Sequence, residues 1–215
     1  MSGTRCGGLD VFYPIVPDTS WVGRLAPLGV RTLQLRIKAA TAAEVRRQIA
    51  ESLTVTRRYG CQLIINDFWR EAIEAGADYV HLGQEDLAGA DVAAIKSAGM
   101  RLGISTHSED ELSTALAAGP DYVALGPIYE TKLKAMKWAP QGLTRINAWK
   151  ARIGLLPLVA IGGITPERAD GVVAAGADSV AVITDFMTAQ HPERRVETWL
   201  DWAKAHRPSE PRYVR

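Results

Sequence analysis

Only two cysteines occur in the 215 residues, Cys6 and Cys61, and neither belongs to a Cys-x-x-Cys pair. That excludes a disulfide framework and fits free thiols in a reducing compartment. Apolar runs approaching the ~18 residues of a membrane-spanning helix are also missing. The opening stretch MSGTRCGGLD lacks the apolar segment of a secretory leader, so the sequence reads as cytoplasmic and without a membrane role. Neither sign of charge dominates: 25 basic and 24 acidic residues leave a net charge of +1. This excludes a broad nucleic-acid footprint but allows a small cationic pocket. No Gly-x-Gly-x-x-Gly opens the first helical segment and no P-loop motif is present, which weakens the dinucleotide and P-loop readings.

What the chain does have is enough apolar residue, 47%, against 23% charged, to bury a full core. It also has an internal echo: AGADYV at 75–80, AGPDYV at 118–123 and AGADSV at 175–180. Each echo follows a helical pattern and leads into a short apolar run. Gly supplies the left-handed helix end, an acidic turn follows, and a buried strand begins. Extending this unit predicts strands at 11–15, 32–37, 62–66, 79–82, 101–105, 122–125, 158–161 and 179–183. Helices are predicted at 42–59, 68–75, 91–98, 109–118, 143–152, 166–174 and 192–206, with 17–28 less clearly helical. Strands alternating with helices give a parallel sheet with right-handed crossovers, and eight units give an α/β fold of the single (β/α)₈ TIM-barrel kind over 1–206. Residues 207–215, rich in Pro and Arg, are expected to form a flexible tail.

In such a barrel the chemistry collects at the C-terminal strand ends. There stand Arg36 and Lys38 after strand two, Asn66 and Asp67 after strand three, and Asp86 after strand four. Ser105 ends strand five, while Thr131 and Lys134 lie in the long connection 126–141 after strand six. Gly162-Gly163 follows strand seven and Thr184 strand eight. The segment TLQLRIK places Gln34, Arg36 and Lys38 on one strand face, a ladder of roughly 13 Å from the interior to the mouth. A solvated face is the simple reading of such alternation, yet a closed parallel barrel has none to offer. Asn66-Asp67 alone would be an ordinary helix cap, and Gly162-Gly163 alone a tight turn. Taken together, hard carboxylate oxygens suit Mg²⁺ with a phosphate ligand, the cations suit that phosphate's oxygens, and Gly162-Gly163 with Thr184 suits a second anionic group near strands seven and eight. His81 and His107 lack metal-ligand spacing and read as pocket-lining or core residues.

The ordered set QLRIK (34–38), IND (65–67), HLGQEDL (81–87), GISTH (103–107), GPIY-x-T (126–131), APQGL (139–143), AIGGI (160–164) and AVIT (181–184) resembles the thiamine phosphate synthase family. The resemblance implies a barrel enzyme joining hydroxymethylpyrimidine pyrophosphate to a thiazole phosphate, with Mg²⁺ required and pyrophosphate released. By position it implies Asp67 and Asp86 as Mg²⁺ ligands and Arg36, Lys38, Asn66 and Lys134 as pyrophosphate contacts. It further implies Gln34 and Ser105 on the pyrimidine side, and Thr131, Gly163, Ile183 and Thr184 around the thiazole phosphate. The implied catalytic cations are Arg36, Lys38 and Lys134. Two positions depart from the family's loop pattern: Glu130 replaces Pro and Leu133 replaces Thr. The competing readings are a thiazole tautomerase-like isomerase and a non-catalytic precursor-binding paralogue. A homo-oligomer is compatible with the sequence.

Overall fold

The computed structural model describes residues 8–131 and 138–207. Eight parallel strands close into a barrel in sequence order: β1 (Phe12–Val16), β2 (Thr32–Leu35), β3 (Gln62–Asn66), β4 (Tyr79–Leu82), β5 (Arg101–Thr106), β6 (Tyr122–Leu125), β7 (Leu158–Ile161) and β8 (Ser179–Val182). β8 pairs back onto β1 through Tyr13 opposite Ala181. The strands read as nearly unbroken apolar runs because both faces are covered. Outward residues such as Phe12, Leu33, Ile65, Val80 and Leu102 pack with the helices, while Tyr13, Ile64, Tyr79, Tyr122 and Val159 fill the interior.

The predicted helices form as α2 (Ala42–Arg58), α3 (Trp69–Glu74), α5 (Val92–Ser97), α6 (Glu109–Ala117), α7 (Gly142–Ile153), α8 (Pro166–Ala174) and α10 (Pro192–His206). Side-chain caps start several of them: Thr41 accepts from Glu44 N, Asp91 from Ala94 N and Ser108 from Glu111 N. The segment that read least clearly is helical: α1 (Thr19–Leu25) starts where Asp18 accepts from Trp21 N at 3.1 Å, then tightens into a 3₁₀ turn at Ala26–Leu28. Two short helices, α4 (Gln84–Ala88) and α9 (Thr184–Met187), stand where the sequence predicted only strand exits. β2 ends at Leu35 rather than at residue 37, and β8 at Val182 rather than at residue 183.

α10 closes the barrel by stacking Trp199 on Phe12 of β1, with ring centroids 5.2 Å apart and planes 3° from parallel. Arg207, placed by the sequence in the tail, donates two 2.7 Å hydrogen bonds to the buried Asp10 carboxylate; residues 208–215 lie outside the described residues. Among the described residues no helix is long and apolar enough to cross a membrane.

Candidate active site

The C-terminal ends of β2, β3 and β4 bring Arg36, Asp67 and Asp86 together. Arg36 lies one residue past β2, where its backbone N–H donates to Val16 O at 2.8 Å and holds the chain against β1. Asn66 ends β3, and Asp67 follows with φ at +67°, a conformation that costs a non-glycine residue about 1 kcal/mol or more. That turn is fixed by Asp67 N donating to His81 O and Trp69 N donating to Asp67 O. It aims the Asp67 carboxylate across the mouth rather than down onto α3, whose first turn has no side-chain cap. The helix-cap reading of Asn66-Asp67 is therefore set aside. Asn66 is buried and donates through its amide nitrogen to Asp67 Oδ2.

Asp86 reaches the same point from α4. The two carboxyl groups stand within hydrogen-bonding reach of each other. Burial, then the Asp86 charge and hydrogen bond, push the Asp67 carboxyl up to about 6; the Arg36 charge and the Asn66 bond pull it back down. Two acids compete for one space beside one guanidinium. Lys38 lies exposed two residues beyond Arg36, at the rim.

Beneath this mouth lies a small opening lined among others by Gln34, His81, Ser105, Tyr122 and Val159. Gln34 is buried, as the deepest rung of the ladder should be, and donates from Nε2 to Tyr13 Oη at 2.7 Å. Tyr13 Oη lies 2.9 Å from Tyr122 Oη, which lies 2.7 Å from His81 Nδ1; His81 Nε2 is 2.8 Å from Ser105 Oγ. Gly103 makes the crossing feasible, because a Cβ there would sit 2.1 Å from the Tyr122 ring. Burial, aided by the Arg36 charge, lowers His81 to about 3, so the imidazole is neutral. Ser105 is further anchored by Gln84 Nε2, which donates to its carbonyl at 2.7 Å. Tyr13, Tyr122 and Gln84 went unread in the sequence; the first two occupy inward strand positions, the signal that would have exposed them.

On the opposite side, Gly163, Ile183 and Thr184 stand at the ends of the paired strands β7 and β8. The glycine pair serves a purpose the tight-turn reading missed. Gly163 has φ at +64°, and a Cβ there would fall 2.4 Å from Glu130 O. The connection after β6 lies directly on this turn, with Tyr129 N donating to Gly162 O at 3.0 Å. Thr131 is the last described residue before a gap in that connection; Lys132, Leu133 and Lys134 lie outside the described residues. His107 bonds Glu111 at 2.8 Å and stacks on Trp138, 5.7 Å between centroids.

The family model for thiamine monophosphate synthase matches residues 13–186. A Rhizobium etli protein named thiamine-phosphate synthase is 56% identical over 192 residues, covering 89% of this chain and 94% of its own length. A Neisseria meningitidis protein of the same name is 47% identical over 188 residues, covering 87% of this chain and 92% of its own. Among solved structures, a thiamine phosphate pyrophosphorylase from Pyrococcus furiosus superposes with a TM-score of 0.78 at 26% identity, over 92% of this chain and 96% of that one. With the family model spanning most of the chain and a relative 56% identical over 89% of it, the chain belongs to the thiamine monophosphate synthase family.

Proposed function

We propose that this chain joins hydroxymethylpyrimidine pyrophosphate to thiazole phosphate, giving thiamine phosphate and pyrophosphate. The observation that carries the reading is the meeting of Asp67, Asp86 and Arg36 above an opening whose floor offers an amide and a hydroxyl. A tautomerase-like isomerase is not favoured, since the matched relatives bear the synthase name.

The donor set fits Mg²⁺. Both acids offer hard oxygen atoms, and their mutual repulsion is relieved by a cation between them. Among the described residues no group of three or more His, Cys, Asp or Glu could hold a metal. Two carboxylates suit an ion that keeps waters and substrate phosphate in its shell rather than sitting in a protein cage. Held by Asp67 and Asp86, Mg²⁺ would supply Lewis-acid neutralisation of the leaving diphosphate.

The chain's own residues do the rest. Gln34 and Ser105 hold the aminopyrimidine ring so that its CH₂–O bond points to the mouth. That bond breaks with its electron pair going to the diphosphate, and the ring delocalises the cation left on carbon. Arg36, Lys38, Asn66 and Lys134 stabilise the charge gathering on the departing group, the fork of Arg matching two oxygens at once. The thiazole nitrogen, positioned through its phosphate at Thr131, Gly163, Ile183 and Thr184, then donates its lone pair to that carbon. Proximity accounts for much of the acceleration, and no side-chain nucleophile is needed. The cytoplasm is the proposed compartment; burial pushes the Cys61 thiol up to about 12, which keeps it protonated and inert.

Incubation with both precursors, with and without Mg²⁺, tests this directly. Thiamine phosphate and pyrophosphate are expected in equal amounts with the metal and neither in its absence. Tight precursor binding with no product in either case would leave a binding protein instead.

A further inference from the structure

The side chains from Gln34 to Ser105 form an unbroken hydrogen-bonded line across the barrel interior. Such a line has two self-consistent directions. In one, Gln34 Nε2 donates to Tyr13, Tyr13 to Tyr122, Tyr122 to His81 Nδ1, and His81 Nε2–H to Ser105 Oγ. In the other every bond reverses, starting with Ser105 donating to His81 and ending with Tyr13 donating to the Gln34 oxygen. A mixed order leaves either a buried hydroxyl hydrogen without an acceptor or the two tyrosine oxygens facing each other with no hydrogen between them, since each tyrosine has one hydrogen to give. Tyr13 and Tyr122 are both buried, so water offers no relief. A neutral His81 fits either direction, but only as a single tautomer in each.

The Gln34 nitrogen lies toward Tyr13, which selects the first direction. Its consequences fall on both ends of the line. The Tyr13 hydrogen is committed to Tyr122, so Gln34 cannot rotate its amide to take that hydrogen on its oxygen. Gln34 therefore offers the opening a fixed carbonyl oxygen, its amide nitrogen being turned to Tyr13 and Tyr122. At the far end Ser105 accepts from His81, so its own hydrogen is released toward the ligand. An aminopyrimidine matches this: its amine donates to the Gln34 oxygen while a ring nitrogen accepts from Ser105. The 4-oxo analogue carries the opposite pattern, an exocyclic acceptor beside a ring N–H. We infer that Tyr13, Tyr122 and His81 are positioning residues whose fixed hydrogen-bond direction makes the pocket accept the 4-aminopyrimidine and reject its 4-oxo counterpart.

The inference rests on the proposed aminopyrimidine substrate, and two measurements separate their fates. The first needs no turnover: ¹⁵N shifts of His81, assigned by comparison with His81→Gln, report which ring nitrogen carries the proton. Protonation at Nε2 is expected, and protonation at Nδ1 would overturn the inference. The second compares kcat/KM for the amino and 4-oxo diphosphates. Wild type is expected to favour the amino form by about a thousandfold or more. Tyr122→Phe keeps the ring over Gly103 but cuts the line, letting the amide turn, and the preference should shrink by roughly tenfold. A folded Tyr122→Phe with undiminished preference would overturn the inference while leaving the synthase reading intact. Should that variant not fold, Tyr13→Phe frees Gln34 directly and carries the same expectation. Absence of product from the wild-type protein would instead defeat the synthase reading, and the His81 tautomer would still decide the direction of the line.

Discussion

The two ends of the barrel use charge in opposite ways. At the N-terminal end, acids are matched with donors. Asp121 N donates to Leu102 O while Leu102 N donates to Asp121 Oδ2 at 2.7 Å. Asp178 repeats the pattern with Leu158, at 2.8 Å to its carboxylate, and adds Lys150 at 2.7 Å. Asp10, buried, takes two bonds from Arg207 while Ser179 caps its carbonyl at 2.7 Å. At the C-terminal end, Asp67 and Asp86 repel, Asp67 is held in a left-handed turn, and Arg36 stands beside them. One end stores stability. The other gives some of it up to hold two acids and a guanidinium together at the mouth, the end where this fold places its chemistry.

The sharpest break of that contrast is Asp67→Ala. Losing one preorganised charge-stabilising site costs about 3 kcal/mol in the transition state, so turnover should fall at least ~100-fold with thermal unfolding unchanged or improved. Near-wild-type kcat would remove the metal assignment. Asp10→Ala should do the reverse. It strands Arg207 and should lower the unfolding free energy by roughly 2–3 kcal/mol in denaturant titration, with kcat unaltered where the protein remains folded.

Between the two ends sits His81, and its effect appears only in acid. Its folded pKa of about 3 lies below the unfolded value of 6.5, so the unfolded chain binds the proton first as pH falls. Stability from this group is complete above pH 6.5 and drains away as pH drops toward 3. Between pH 7 and pH 5 the loss is about 2 kcal/mol. His81→Gln, which cannot titrate, should flatten that part of the stability curve in urea titrations. An unchanged slope would mean that His81 is charged in the fold.

Much of this division could be read in the sequence. Strands buried on both faces declare themselves as apolar runs, and the repeated Ala-Gly-x-Asp marks the stable end, because a helix stop and a strand start are local matters. That Arg36, Asp67 and Asp86 meet at one mouth was legible through strand-end position, and that Gln34 lies deep was legible through its place on the strand face. What escaped depends on distance in the chain. Tyr13 and Tyr122 meet across 109 residues, and nothing near either announces the partner. α4 and α9, with five and four residues, are too short to show helical periodicity. The Gly162-Gly163 turn read as local until the connection after β6 was seen resting on it.

The smallest prediction is also the most direct comparison, since it makes one chemical change at both ends. Asp67→Asn and Asp178→Asn each replace a carboxylate with an amide of nearly equal size. In metal-free protein Asp67 carries a folded pKa of about 6 against an unfolded 3.8, so its charged form is disfavoured by folding. That penalty is present above pH 6 and vanishes as pH falls below 3.8. Neutralising Asp67 should therefore raise stability near neutral pH, by about 1 kcal/mol once its partial exposure is discounted, with the gain fading toward pH 4. Asp178→Asn keeps an acceptor for Leu158 N but loses the ion pair with Lys150, a partly exposed contact, and should lower stability by about 1 kcal/mol or less. Opposite signs from matched substitutions, read in parallel denaturant titrations without metal, would show that the mouth is shaped against stability; equal signs would erase the distinction between the two ends.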